Sequence, residues 1–138
     1  TWAIGVLART AGVDAGVYRQ PIIASATDKK LYEHEIGFNY DGGEPFAESG
    51  PIIIGNGDNV MSVTKMIPDE KTQGDVDATF KTRFYPNDVE RTYGPFNMSN
   101  PTSLRFTGRQ VRIRIEGVNA DDWRVGINRL EVIQGGRR

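Results

Sequence analysis

At 138 residues, 38% hydrophobic and 25% charged, the chain has the makeup of one globular domain able to bury about two thirds of its extended surface. Its 17 basic and 18 acidic residues leave a net charge of -1, without the basic excess of an autonomous nucleic-acid binder. With no cysteine, disulfides, thiolate zinc sites and thiol catalysis are excluded.

No segment approaches the run of about 18 apolar residues that spans a bilayer, and Thr1 to Ile4 has neither the basic start nor the apolar stretch of a signal peptide. No membrane contact is expected. The chain has no initiator Met and enters directly on an apolar alternation, which suggests the C-terminal part of a longer protein, forming one sandwich domain over 1–138.

In chain order, Trp2, Ile4 and Val6 alternate, and so do Tyr32, His34, Ile36, Phe38 and Tyr40, each set lining one face of an extended segment. Ala8 to Pro21 is too irregular to place. Ile52 to Ile54 then meets Gly55-Asn56-Gly57-Asp58, a type I′ hairpin signal that predicts a return strand over Val60 to Ile67. Val76, Ala78, Phe80, Thr82 and Phe84 alternate with Asp75, Asp77, Thr79, Lys81 and Arg83, predicting a strand with one apolar and one charged face before Tyr85-Pro86-Asn87-Asp88 stops it. A short extended piece follows around Phe96 and Met98.

Val111, Ile113 and Ile115 share one face of the next strand, and Gln110, Arg112, Arg114 and Glu116 share the other. Gly117 to Asp122 is expected to turn the chain into Trp123, Val125 and Ile127. The apolar parity then changes at Leu130 and Val132, which predicts a bulge near Asn128-Arg129. About eight strands separated by turns indicate an all-β fold, an antiparallel β-sandwich or jelly roll. A piece of β-propeller joined to a smaller sandwich is the alternative.

Candidate chemistry is sparse. Arg112 and Arg114 read first as a solvated strand face, and second as part of an interface patch with Arg105 and Arg124 touching a partner or packaged nucleic acid. No aromatic residues interleave with them on that face, so base-specific recognition is not expected. His34, the only histidine, alternates away from Glu33 and Glu35, so neither can orient its ring as a triad acid would. We expect a half-buried strand residue with a hydrogen-bond partner. No serine lies in a G-x-S-x-G elbow. The loops at Asp41 to Glu44, Asn56 to Asp58 and Asn119 to Asp122 collect hard oxygen ligands suited to Ca²⁺, but the same residues favour turns. No metal, cofactor or enzymatic activity is expected.

The blocks WAIGVLARTAGVDAGVYRQPI, KLYEHEIG, MIPDE, KTRFYPND, TYGPF, TGRQVRIRIEG and DWRVGINRLEVIQGGRR resemble the C-terminal region of tailed-phage virion proteins related to tail-hub and packaged-DNA stabilisation proteins. The matching positions are Tyr32 to Glu35, Gly94 to Phe96, Gly108 to Gln110, Trp123 to Gly126 and Gly136 to Arg138. The resemblance implies a structural role in a virion, in the tail or head-to-tail region, with other phage structural proteins as partners, a symmetric homo-oligomer and at most non-specific contact with packaged DNA. The strand GRQVRIRIEG, followed by a Trp-bearing strand ending RLEVIQ, is also similar to the last strands of galactose-binding-like jelly rolls. That likeness implies a carbohydrate-binding module, for which Trp2, Tyr40, Phe46 and Trp123 could supply a stacking platform. For Trp123 the core is the preferred place, because it shares parity with Val125 and Ile127.

Overall fold

The computed structural model describes residues 8–38, 43–56, 59–69, 74–119 and 122–137. These residues contain no helix and eleven strands, and all the strand pairs are antiparallel. The chain divides into two compact units, 1–44 and 45–138.

Within the first unit, β1 (Ala11–Val13), β2 (Ile22–Ala24) and β3 (Leu31–Glu33) form a three-stranded meander. The alternation from Tyr32 to Tyr40 predicted a longer strand. Glu35 has φ +62, which takes the backbone out of the extended region and ends the strand. Ile36 and Phe38 beyond it are exposed. Trp2, Ile4, Val6 and Tyr40 lie outside the described residues.

The second unit is a β-sandwich. Its strands are β4 (Phe46–Glu48), β5 (Ile52–Ile53), β6 (Asn59–Ile67), β7 (Val76–Arg83), β8 (Arg91–Asn97), β9 (Thr102–Gly108), β10 (Gln110–Gly117) and β11 (Arg129–Arg137). One sheet runs β4-β10-β7-β8, with β5 beside β4 on the same edge of β10, and the other runs β11-β6-β9. The alternation along β7 is realised from Val76 to Arg83, with Val76, Ala78, Phe80 and Thr82 buried, while Phe84, expected on the same face, lies past the strand's end and is half-buried. They meet Val63 and Met66 of β6, Leu104 and Phe106 of β9, Val111 of β10, and Met98. Phe80 sits at the centre, its ring 5.1 Å from Phe106 and 6.1 Å from Phe96, within the range of favourable aromatic contact.

Two expected pairings are corrected. β5 does not fold back on β6: it pairs with β10, Ile52 opposite Val111 and Ile53 opposite Gln110. Ile54 N donates to Arg109 O at 2.9 Å, so the chain leaves β5 for the opposite sheet. An Asn-Gly pair sets local backbone turning, but the strand edge available to Ile52 was that of β10. The Gly57-Asp58 part of that turn lies outside the described residues.

Nor does Trp123 to Ile127 pair with β10, whose two edges are occupied by β7 on one side and by β4 and β5 on the other. Trp123 and Val125 still pack against the core, while Ile127 is exposed. The register shifts lie within β11, between Glu131 and Val132 and between Gln134 and Arg137, rather than at Asn128-Arg129. Two glycines are fixed by close approach. A side chain at Gly117 would begin 2.5 Å from Trp123 Nε1, and Gly94 combines φ +116 with the Ala78 carbonyl 2.9 Å from the place of a Cβ.

Candidate functional site: the charged face of the five-stranded sheet

Because side chains alternate across a strand, turning Val111, Ile113 and Ile115 toward the core turns Gln110, Arg112, Arg114 and Glu116 outward. β7 does the same with Asp77, Thr79, Lys81 and Arg83. The β7–β10 register sets Arg112 opposite Lys81 and Arg114 opposite Thr79. Two cations directly opposite each other repel, and the arrangement requires an anion between them.

Glu48 of β4, opposite Arg114, is that anion. Lys81 Nζ reaches both its oxygens, at 3.1 and 3.2 Å; Arg112 Nη2 donates to Oε1, and Arg114 Nη1 lies 3.5 Å from Oε2. The Glu48 side chain is only 13% exposed. The hydrogen bond from Lys81 and the charge of Arg112 hold its carboxyl below the usual glutamate range, against the opposing effect of burial.

The network extends at both ends. Arg112 Nη1 reaches Glu90 at 3.2 Å. Arg114 Nη2 and Nε donate to the two oxygens of Glu116 at 2.7 and 3.1 Å, a bidentate pair that lowers the Glu116 pKa and raises that of Arg114. The Arg114 guanidinium also lies 3.7 Å over the ring centre of Phe46. Arg83 Nε donates to Gln110 Oε1 at 2.7 Å. Beyond Glu116, burial and the neighbouring Asp75 push the Asp77 carboxyl up.

The face therefore balances three cations, Lys81, Arg112 and Arg114, with three carboxylates, Glu48, Glu90 and Glu116. The charge of Lys81, Arg112 and Arg114 is thus met within the network, while Arg83 on the same face donates to the neutral Gln110 Oε1 and, at 2.9 Å, to Pro86 O. Arg112 Nε is buried without a hydrogen-bond partner, so Arg112 retains unused donor capacity.

Of the four arginines singled out from the sequence, the structure brings Arg112 and Arg114 together. Arg105 is exposed on β9 of the other sheet. Arg124 follows Trp123 with its side chain 75% exposed, 3.9 Å from Asp122. Sequence reasoning missed Glu48 and Glu90, and singled out Phe46 only for stacking a ligand and not for its contact with Arg114. Glu48 sits on a strand of three residues, too short to show a period, and its partners are 33 to 66 positions away.

Of the suggested stacking platform, Trp2 and Tyr40 lie outside the described residues, Phe46 is 57% exposed with Arg114 over its ring, and Trp123 packs on the core. His34 is half-buried and accepts from Arg9 Nε at 3.2 Å through its Nε2, as expected of its burial and partner, but it lies just past the end of β3 and not in a strand. In the same unit Arg9 lies 4.3 Å over the ring of Tyr32, whose hydroxyl donates to Asp28 and lowers that carboxyl's pKa. Most of the three oxygen-rich loops lies outside the described residues, and among the described residues no group of three or more His, Asp or Glu could hold a metal ion. A hollow of about 350 Å³ beside β7 is lined by Thr82, Arg83, Phe84, Asp88, Val89 and Arg91.

No family model matches the chain, and comparison with the curated proteins and with the solved structures finds no match.

Proposed function

We propose that this chain is a non-catalytic structural component of a bacteriophage virion, in the tail or head-to-tail region, acting through contacts with other phage structural proteins and with symmetric copies of itself. The sequence blocks from Tyr32 to Arg138 motivate the virion reading. The observation that carries the mode of action is the open face centred on Glu48, where Lys81, Arg112 and Arg114 are ordered by three carboxylates. Such a face presents fixed alternating charge to a partner of complementary pattern, which favours register and specificity over raw affinity. A charge-balanced surface suits protein contact better than nucleic acid, since phosphate binding requires uncompensated cations.

The test is particle assembly with Arg112→Ala and Arg114→Ala in the full-length protein. Each should weaken incorporation or salt resistance by about 1 kcal/mol per lost contact while native melting is retained. Variants that assemble like wild type but lose their melting transition would assign these arginines to stability alone. A specific glycan-array response would replace the virion reading with the carbohydrate-binding one.

A further inference from the structure

The exposed edges of the sandwich are protected unequally. On the five-stranded sheet, β8 is interrupted by Gly94-Pro95, and the edge formed by β4 and β5 is broken at Ser49-Gly50-Pro51; prolines remove ladder donors and blunt an edge. On the three-stranded sheet, β9 is approached by β7, where Thr82 Oγ1 donates to Thr107 O at 3.4 Å. β11 has neither a proline nor, among the described residues, a covering strand, and what interrupts it are the register shifts against β6 between Glu131 and Val132 and between Gln134 and Arg137. It is nine residues long, and within its unit pairs on one side only.

The direction of its backbone groups follows from two contacts. Ile127 N donates to Asp69 Oδ2 at 3.3 Å, and Thr64 Oγ1 lies 3.5 Å from Glu131 O. Asp69 and Thr64 both lie on the β6 side, so the odd residues use their main-chain groups toward β6. Successive residues of a strand point these groups to opposite edges, so those of Leu130 and Val132 face the open side.

We propose that this edge pairs antiparallel with the same strand of a second copy, on a two-fold axis through Leu130. The sequence Ile127-Asn128-Arg129-Leu130-Glu131-Val132-Ile133 complements itself in that register. Arg129 meets the second copy's Glu131, and Glu131 meets its Arg129. Ile127 and Ile133, 74% and 56% exposed, meet each other, and the two Leu130 residues exchange main-chain hydrogen bonds. Opposite-charge and apolar cross-strand pairs stabilise. Centring the pair on Glu131 would oppose two carboxylates, and centring it on Ile133 would oppose Arg129 and Arg137. Each subunit contributes the same patch, as an isologous contact requires, and the two three-stranded sheets become one of six. A seven-residue edge contact is small, and its dissociation constant is expected above about 1 μM. This contact does not rest on the virion reading, since it uses an edge of the other sheet and needs no third protein.

Sedimentation equilibrium of the whole chain at up to about 1 mM tests it. Wild type should dimerise. Arg129→Glu and Glu131→Arg should each weaken the dimer by about tenfold or more, because each opposes like charges twice, and the double reversal R129E/E131R should restore it. The chain has no cysteine, so the variant I127C/I133C should oxidise to a disulfide-linked dimer while either single substitution does so far less. A monomer at every concentration would overturn the proposal. So would a dimer indifferent to both charge reversals, or reversals that fail to rescue one another. Loss of the dimer in a chain that still enters particles would leave the virion reading intact.

Discussion

The units 1–44 and 45–138 are built from the same kind of element, antiparallel strands, yet among the described residues a buried hydrophobic cluster is found in the second alone. In the second, β6, β7 and β10 run for eight or nine residues with an alternation that places Val63, Met66, Phe80 and Val111 below 3% exposure. In the first, every strand has three residues; β1 is exposed throughout, and among its described residues only Pro21 and Ser25 are buried. Val13, Val17 and Leu31 all stand in solvent. A three-residue strand offers one or two side chains to a face, too few to exclude water and offset the entropy of ordering. The described contacts of the first unit are largely polar, among them Arg9 with His34 and Tyr32 with Asp28.

The largest effect separating the two should come from Phe80→Ala, which removes the ring between Phe96 and Phe106. A loss of about 3–5 kcal/mol is expected for the 45–138 unit, measured by chemical denaturation followed at its aromatic signals. A smaller loss would mean that the two sheets close over the gap.

The charged face should show itself in acid. The folded state holds Glu48 and Glu116 ionised to lower pH than the unfolded chain does, so their stabilisation is full above the unfolded glutamate value of 4.5 and fades as pH falls through the folded ones. Asp77, shifted upward, acts in the opposite sense: its contribution is full below 3.8 and is lost as pH rises through its folded value. Melting recorded from pH 7 down to about 3 should fall more steeply for wild type than for Glu48→Gln, the gap between them being widest at neutral pH and closing in acid. Parallel curves would remove Glu48 from any stabilising role.

The smallest effect is expected from Arg9→Ala. It removes the contacts with His34 and Tyr32, yet should leave the main melting transition within about 0.5 kcal/mol of wild type. A larger shift would show that the stability of the second unit depends on the first.

What could be read in advance follows the same division. β7 and β10 were legible because their apolar residues recur every second position for eight residues, and that alternation correctly set Arg112 and Arg114 outside and Val111 inside. Asn56-Gly57 announced a turn but carried no information about which edge Ile52 would join, since strand pairing depends on residues far away in the chain. Trp123, Val125 and Ile127 alternate convincingly, yet β10 had no free edge to receive them. Glu48 gave no local sign of its role, which comes entirely from the register of β4 against Arg114.

The break between β4 and β5 has a consequence for motion. Ser49 N donates to Ile113 O at 2.9 Å, while Ile113 N is held by the Ser49 hydroxyl at 3.0 Å instead of a carbonyl. A hydroxyl can swing about one bond without moving the chain, so this amide can be released to solvent while its neighbours stay protected. Deuterium uptake should therefore begin in the middle of β10 at Ile113, beneath the charged face, and spread from there toward its ends.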